Sequence, residues 1–251
     1  MAVYENSDRY DISIKSNNTP LTIADRLAHN KIKEVLGETR IPILSEEGRE
    51  MLYDERKNWD MFWLVDPLDG TIEFIKQNNE FTVNIALMAN NECVASVVYV
   101  PYLQKVYIAE LGGGASLLTG VAPDSNASWS KKDIDKQSIS LPLPAYERPF
   151  RIAVSRSHQT PDTAVYVEQM RREHHDAEVV EQGSSYKFCL MAEGVIDYYP
   201  RTTDTYEWDT AAAELILVEA GGVVRSLPDH RPLQYNKEDL HNPWFECHRF
   251  K

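Results

Sequence analysis

Four short acidic segments carry the side chains of this 251-residue chain that are best suited to chemistry. They supply Asp25, Glu46, the pair Asp66 and Asp69, and Asp209. Each lies at the boundary of a predicted strand or helix, where a carboxylate is costly to bury unless a positive partner compensates it. Mg²⁺ is a hard cation that binds one or two carboxylates together with substrate phosphate oxygens. Two such ions about 3.5–4 Å apart can bind a phosphate, activate water and neutralise the leaving alkoxide.

Each acidic segment also has a purely structural interpretation. Asp-Pro and Asp-Gly are common turn formers, so the stretch from Asp66 to Gly70 is also typical of a turn after a strand. Glu46 and Glu47 are typical of a solvated acidic loop, and Asp209 is suited to cap the helix that follows it. Taken singly, the segments leave both the metal site and the structural alternatives open.

The charge of the chain excludes one class of partner. There are 39 acidic and 26 basic residues, which give a net charge of −13. A surface of that sign repels nucleic acid, so we expect no nucleic-acid partner. The charge itself is compatible with simple solubility and with carboxylates that hold divalent cations.

The composition, 43% hydrophobic and 26% charged, excludes collagen-like and disordered classes. The longest apolar run, residues 215–218, is far shorter than the roughly 20 residues of a membrane helix, and the first ten residues lack a signal-peptide core. The three cysteines, Cys93, Cys189 and Cys247, are odd in number and lack metal-ligand spacing. We therefore expect a reduced cytoplasmic chain without a transmembrane segment.

Hydrophobic periodicity predicts alternating strands and helices in two halves. In the first half we expect a helix at 22–36 and strands at 11–15, 41–44, 62–65, 81–88, 95–100 and 105–109. In the second half we expect helices at 161–173, 184–193 and 210–220 and strands at 150–154, 178–180, 196–199 and 223–225. The polar stretch 121–149 divides the chain into predicted subdomains 1–148 and 149–251. Because several strands pair as hairpins, an α+β layered sandwich with mixed sheets is favoured.

The stretch WLVDPLDGTIEFIKQNNEFTVNIAL resembles the signature of the inositol monophosphatase superfamily. Its neighbours fit that pattern in order, with PLTIAD and PILSEE before it and EWDTAAAELILVEAGG near the C-terminus. Three further motifs, SRSH, GSSYKFCLMAEG and the step Tyr199-Pro200-Arg201, resemble the branch of bacterial 3′(2′),5′-bisphosphate nucleotidases. The resemblance runs from about Asp11 to the end of the chain.

The resemblance implies a layered αβαβα sandwich and a lithium-sensitive phosphatase that uses two or three Mg²⁺ ions. The reaction implied is hydrolysis of adenosine 3′,5′-bisphosphate to AMP and phosphate, a clearance step linked to sulfate assimilation. The implied metal ligands are Glu46, Asp66, Asp69, Asp209 and the carbonyl of Leu68, and all of these except Asp66 would also touch the substrate.

The same resemblance assigns the other candidate site residues. Asp25 and Thr71 match the pair that orients or deprotonates the attacking water, and Gly70 and Thr71 would offer backbone N–H groups to the phosphate. The residues implied to face the nucleotide and its second phosphate are His158, Ser184, Lys187 and Arg201.

Two departures and two alternatives accompany the resemblance. Relatives usually carry a long amphipathic helix before the strand near Asp11, and only ten residues precede that strand here, so we expect exposed apolar surface. Tyr186 stands where relatives more often carry an aliphatic residue, which bears on substrate preference. The alternatives are an inositol or sugar phosphate monoesterase with the same metal site, and a catalytically silent binding protein. We expect a monomer or homodimer, in the cytoplasm or peripherally associated with the inner membrane.

Overall fold

The computed structural model describes residues 1–15, 20–122 and 129–249. The α-helices are α1 (Ile23–Gly37), α2 (Tyr53–Arg56), α3 (Thr71–Ile75), α4 (Lys131–Gln137), α5 (Pro161–Glu173), α6 (Tyr186–Glu193) and α7 (Glu207–Glu219). The strands of the first half are β1 (Ser13–Ile14), β2 (Pro20–Leu21), β3 (Ile43–Ser45), β4 (Met61–Asp69), β5 (Thr82–Ala89), β6 (Glu92–Val100), β7 (Lys105–Glu110), β8 (Gly114–Thr119) and β9 (Ile139–Ser140). The strands of the second half are β10 (Arg151–Ser155), β11 (Glu178–Gln182), β12 (Tyr198–Arg201), β13 (Val223–Ser226) and β14 (Phe245–His248).

Two mixed sheets form the frame of the molecule. The larger sheet has the order β3-β4-β5-β6-β7-β8-β9, in which β3 and β4 are parallel and the other pairs are antiparallel. The smaller sheet has the order β11-β10-β12-β14-β13, parallel from β11 to β12 and antiparallel from there to β13. β1 and β2 pair separately as a short antiparallel ribbon.

The helices form three layers around these sheets. α1 packs on β3 and β4, and α5 packs on β10 and β12 at the opposite end of the molecule. Between the sheets lie α6 and α7, whose buried side chains share one apolar cluster with both sheets. The order is therefore helix, sheet, helices, sheet, helix, which confirms the predicted layered α+β sandwich. Within the described residues, no helix is both long and apolar enough to cross a membrane.

The central position of α7 follows from its sequence. The helix is apolar around most of its circumference, with Ala211, Ala212, Leu215, Ile216 and Leu217 all buried. A helix that is apolar on all sides is stable only when it is covered on all sides. The layer between two sheets provides that environment.

The structure corrects three sequence expectations. β4 was expected to stop at Val65, but it continues to Asp69, with a shift of register between Asp66 and Asp69. α7 begins at Glu207 rather than at Thr210. The strands β2, β8, β9 and β14, and the helices α2 and α4, had no predicted counterpart.

The predicted boundary stretch 121–149 contains residues 123–128, which lie outside the described residues. Its later part forms α4 and β9, and β9 returns to pair with β8 of the first sheet. The larger sheet uses strands from 1–148 and the smaller sheet uses strands from 149–251. Because one apolar cluster is common to both halves, the division into subdomains stays a prediction.

The first ten residues form only a short 3₁₀ helix (Ser7–Arg9). Tyr4 and Tyr10 are buried against Phe74 and Phe81 beside α3, with the Tyr4 ring centroid 5.0 Å from that of Phe74 and 4.8 Å from that of Phe81. On α1 the apolar side chains of Leu27 and Val35 are exposed, and Asp25 is the helix's buried residue.

We predict that Glu207→Gln lowers the free energy of unfolding by about 1–3 kcal/mol, because the amide has one acceptor oxygen and leaves one of two buried backbone N–H donors without an acceptor. Glu207 is fully buried at the start of α7, where it accepts backbone N–H bonds from Asn236 (2.6 Å) and Lys237 (3.0 Å) and pairs with the Lys237 ammonium at 2.6 Å. Urea denaturation measures the loss, and Glu168→Gln on the exposed face of α5 is the matched control. Equal stability of the two variants would contradict the anchoring role.

Candidate functional site

A cavity of about 510 Å³ lies between the two halves of the chain. All of the predicted site residues except Asp25 line it, namely Glu46, Asp66, Leu68, Asp69, Gly70, Thr71, His158, Ser184, Lys187, Arg201 and Asp209. Asp25 lies behind this lining and reaches it through a hydrogen bond from Thr71. Residues separated by more than 180 positions in the chain thus share one site.

Asp66 and Asp69 belong to the irregular end of β4. Pro67 between them has no N–H to donate to the ladder, and the register with β5 shifts at this point. The Asp66 side chain is buried, and one of its oxygens accepts the backbone N–H of Leu68 at 3.0 Å. Asp69 accepts hydrogen bonds from the Ser185 N–H and from the Thr82 hydroxyl. The irregular backbone at this end of β4 therefore allows both side chains to line the cavity.

Gly70 makes the transition from β4 to α3 possible. Its φ of +88° is in the left-handed region that favours glycine. A Cβ here would lie 3.0 Å from the Glu80 carbonyl oxygen and 3.2 Å from Ser184 Cβ. The next residue, Thr71, is thereby placed as the first residue of α3, with its hydroxyl toward Leu68 and Asp25.

Asp25 and Thr71, which the resemblance pairs as the residues that orient or deprotonate the attacking water, are joined by a hydrogen bond. The Thr71 hydroxyl donates to Asp25 Oδ1 at 3.1 Å, and it lies 3.3 Å from the Leu68 carbonyl oxygen. The other Asp25 oxygen accepts the Thr22 N–H at 2.7 Å and the Thr22 hydroxyl at 2.6 Å in a capping box at the start of α1. The carboxylate is therefore fixed in orientation before any ligand binds.

Asp209 occupies the third residue of α7, not the capping position that the sequence suggested. Tyr206 is the cap, and its N–H donates to Asp209 Oδ2 at 2.8 Å. The capping interpretation is thus replaced by a related one, in which Asp209 accepts an otherwise unpaired N–H of the first turn. The same side chain also lines the cavity.

Mutual repulsion and burial dominate the electrostatics of the acidic side. Burial raises the pKa of Asp66 well above its ordinary range, and the charges of Glu46, Asp69 and Asp209 raise it further. The pKa of Asp209 is raised by burial and then by Asp69 and Glu46. A site that opposes its own ionisation in this way is suited to a cation.

One ammonium group already compensates part of this charge. Lys15 Nζ lies 2.7 Å from a Glu46 carboxylate oxygen and also pairs with Glu47. Burial lowers the pKa of Lys15, but the two carboxylates outweigh it and the net shift is upward. Burial raises the pKa of Glu47 despite this partner. Sequence analysis missed Lys15, because a lysine after a short strand carries no signal of its own.

The donor set fits Mg²⁺. In the described part of the chain, no three Asp, Glu, His or Cys side chains already converge at metal-ligand spacing, and Glu46 is turned toward Lys15. Mg²⁺ does not need a closed protein cage, since it keeps waters and substrate oxygens beside one or two carboxylates. The buried and mutually repelling carboxylates of Asp66 and Asp209, with the Leu68 carbonyl beside them, supply hard oxygen ligands of that kind.

The opposite wall of the cavity is cationic. Arg201 donates from Nη2 to the Asp204 carbonyl at 3.1 Å, while its buried Nε has no hydrogen-bond partner among the described residues. Lys187 is almost fully buried, and its ammonium donates to the carbonyls of Gln182 (3.1 Å) and Ser184 (2.7 Å). Burial, together with Arg201, lowers the pKa of Lys187 to about 8. Arg201 is therefore the cation with donor capacity to spare.

His158 and Ser184 complete this wall. Burial and then the charge of Arg201 lower the pKa of His158, which favours the neutral imidazole. Ser184 has a φ of +53°, and its hydroxyl accepts the Tyr186 N–H at 3.3 Å. Gly183 allows this loop to approach α3, because a Cβ there would lie 2.4 Å from Glu73 Cγ.

Two further lining residues, Glu73 and Tyr206, were not predicted from the sequence. Glu73 is buried at the cavity wall and influences the pKa values of His158 and Lys187. Tyr206 lines the cavity and stacks on Trp208 with ring centroids 4.9 Å apart. The glutamate lies in the signature stretch itself, so its position within GTIEF was the available signal.

Comparison with known proteins gives consistent matches. A profile of the inositol monophosphatase family matches residues 2–243. The 3′(2′),5′-bisphosphate nucleotidase CysQ of Escherichia coli strain K12 is 38% identical over 248 residues, which covers 98% of this chain and 92% of that protein.

Solved structures agree with the sequence matches. The crystal structure of CysQ from Bacteroides thetaiotaomicron, a bacterial member of the inositol monophosphatase family, superposes with a TM-score of 0.89 at 44% identity and covers 98% of this chain and 90% of that chain. The extragenic suppressor protein suhB from Bartonella henselae superposes with a TM-score of 0.69 at 25% identity, covering 90% of this chain and 80% of that chain.

We predict that Asp209→Asn stabilises the metal-free protein at neutral pH by about 1–2 kcal/mol, because it removes the free-energy cost of protonating or ionising a buried carboxyl group while keeping an oxygen for the Tyr206 N–H. The raised pKa means that folded Asp209 holds a proton that the unfolded chain releases. The free energy of unfolding therefore falls as pH rises above the ordinary value of 3.8, and the variant should show a shallower fall.

Asp133→Asn is the matched control, since Asp133 holds the same third position of exposed α4 and accepts the Ser130 N–H at 3.1 Å. Hydrogen bonds from Ser130 lower the pKa of Asp133, so this variant should lose a little stability. Chemical denaturation in EDTA between pH 5 and pH 8 measures both. A destabilised Asp209→Asn protein at pH 8 would contradict the repulsion argument.

Proposed function

The chain belongs to the inositol monophosphatase family, and we propose that it is a magnesium-dependent 3′(2′),5′-bisphosphate nucleotidase. The reaction is hydrolysis of adenosine 3′,5′-bisphosphate to AMP and phosphate, a clearance step in sulfate assimilation. The observation that carries the proposal is one cavity lined both by crowded carboxylates and by the cations Lys187 and Arg201. This division suits a substrate with one phosphate to cleave and a second phosphate to hold.

The carboxylate wall provides the metal ligands. We assign Glu46, Asp66, Asp69, Asp209 and the Leu68 carbonyl to two or three Mg²⁺ ions. Bound Mg²⁺ supplies charge neutralisation for the phosphate, a water of lowered pKa and stabilisation of the leaving oxygen. The Lys15 ammonium, which pairs with Glu46, neutralises part of the charge of this wall.

Asp25 and Thr71 take up the proton that the attacking water loses. The Thr71 hydroxyl donates to Asp25 Oδ1, which leaves the lone pairs of Thr71 Oγ1 to accept a proton. As Thr71 Oγ1 accepts the water proton, its own proton passes to Asp25 Oδ1. The two hydrogen bonds from Thr22 hold Asp25 in place during the transfer. The backbone N–H groups of Gly70 and Thr71 bind the phosphate at the beginning of α3.

The cationic wall selects the nucleotide. Arg201 binds the second phosphate, since its guanidinium has a buried Nε that finds no protein acceptor in the described residues. Neutral His158 and the Ser184 hydroxyl contact the nucleoside, while Lys187 contributes positive potential and holds the 182–184 loop through its two carbonyl contacts. A substrate without the second phosphate would not use Arg201.

A phosphate-release panel tests the proposed activity. With Mg²⁺ we expect faster release from adenosine 3′,5′-bisphosphate than from inositol 1-phosphate at equal concentration, and no release from either in excess EDTA. Side chains alone are inadequate for phosphate monoesters, whose hydrolysis requires accelerations of up to about 10²¹-fold. Full activity in EDTA would refute the metal site. Preference for inositol 1-phosphate would instead favour the sugar phosphatase alternative, and no release with any substrate would favour a silent binding protein.

We predict that Arg201→Ala lowers kcat/KM for adenosine 3′,5′-bisphosphate by roughly 10- to 100-fold, since a shielded charge-assisted contact is worth about 1.5–3 kcal/mol. Hydrolysis of 3′-AMP, which lacks the second phosphate, should change much less. Arg171→Ala on exposed α5 is the matched control and should leave both rates unchanged. A parallel decline with both substrates would show that Arg201 supports the fold or the metal site instead.

Lys187→Ala should behave differently from Arg201→Ala. The ammonium of Lys187 donates to two carbonyls of the loop that carries Ser184, so its loss disturbs that loop as well as the charge. We expect a loss of roughly 10- to 100-fold in kcat/KM for the bisphosphate together with a lower melting temperature. An unchanged melting temperature would mean that the two carbonyl contacts do not order the loop.

A further inference from the structure

A second cavity, of about 680 Å³, is separate from the proposed active site. Its floor is the part of α7 beyond Thr210, and its walls come from the β5–β6 turn, β13 and the segment 232–237. The apolar lining includes Leu111, Leu215 and Val218. The proposed mechanism uses none of its lining residues, four of which are charged: Glu92, Glu214, Arg225 and Lys237.

Glu214 is the acidic group on the α7 side of this cavity, while the other lining carboxylate, Glu92, is exposed at the start of β6. One of its oxygens accepts a short hydrogen bond from the Tyr235 hydroxyl, and the other oxygen has no hydrogen bond to a described residue. Burial raises the pKa of Glu214 to about 7, against the opposing effects of Tyr235 and Arg225. A carboxylate in this position gains most from a ligand that brings its own positive charge and a donor.

Arg225 is the basic group. Nη1 donates to the Val224 carbonyl at 2.8 Å, while Nε and Nη2 make no hydrogen bond to the described residues. Arg225 is near enough to lower the pKa of Glu214, but the two form no ion pair within 4.0 Å. The other cation at the cavity, Lys237, is already paired with Glu207 at 2.6 Å. Glu214 and Arg225 therefore line the same cavity with opposite charges, and each keeps polar atoms that make no hydrogen bond to a described residue.

We propose that this cavity binds a small zwitterion with an apolar side chain, of the α-amino acid type. Its ammonium group would meet the free oxygen of Glu214, and its carboxylate would meet the Arg225 guanidinium, which can bind a carboxylate with two parallel hydrogen bonds. The apolar side chain would pack on Leu111, Leu215 and Val218. A simple amine or a simple carboxylate would leave one of the two charges unmatched.

Titration calorimetry with L-leucine as the probe tests this directly. We expect binding with a dissociation constant of about 1 mM or tighter. Isopentylamine, which lacks the carboxylate, and 4-methylpentanoate, which lacks the ammonium group, should each bind at least about 10-fold more weakly. No heat from L-leucine, or an analogue that binds as tightly as L-leucine, would overturn the proposal.

Substitutions locate the site. Glu214→Gln and Arg225→Gln should each weaken L-leucine binding by about 10-fold or more, whereas the surface variant Glu168→Gln should not. Melting curves identify a variant that fails to fold, and the two analogues test the same contacts in the unaltered protein. Asp66→Asn should leave L-leucine binding intact, because Asp66 lies in the other cavity. If Asp66→Asn abolishes binding, or if neither cavity variant weakens it, L-leucine binds elsewhere and the proposal is wrong.

Discussion

Repulsion among carboxylates in a partly dehydrated cavity is the constraint on which the arrangement of this protein depends. β4 delivers Asp66 and Asp69, β3 is followed by Glu46, and α7 delivers Asp209 from the far end of the chain. Nothing in the local chemistry of these segments favours their meeting, as the raised pKa values of Asp66 and Asp209 show. The apolar cluster between the two sheets holds these carboxylates together against their repulsion. A bound cation would relieve the repulsion, and this relief would favour binding of the cation.

At the 510 Å³ cavity, the two halves of the chain are joined by hydrogen bonds that run through one aspartate. Asp69 accepts the N–H of Ser185 from the second half of the chain and the hydroxyl of Thr82 from β5. The Ser185 hydroxyl in turn lies 2.8 Å from the Thr82 hydroxyl and donates to Asn84 Oδ1 at 2.7 Å. A change at the carboxylate wall therefore reaches the loop that carries Ser184. This connection gives a physical reason for expecting the cleaved phosphate and the second phosphate to be positioned together.

The residues predicted from the sequence to form a site do line one cavity, whereas the ends of several elements were predicted less well. The carboxylates and glycines lie in long local motifs, so they could be found without knowing any contact. The extension of β4 through Pro67 could not, because a proline and two aspartates are typical of a turn and only pairing with β5 makes them a strand. Lys15 and β14 were missed for the same reason, since their positions depend on partners distant in the chain, Glu46 for the lysine and β12 and β13 for the strand.

The most direct test of the central claim is the melting temperature of the protein measured by scanning calorimetry at increasing Mg²⁺ concentration, with NaCl at equal ionic strength as the reference. If the buried carboxylates of the folded protein bind Mg²⁺, ligand linkage requires the melting temperature to rise with Mg²⁺ well beyond the effect of NaCl. The Asp66→Asn protein should lose most of that rise. Coincident Mg²⁺ and NaCl curves for the unaltered protein would contradict the account.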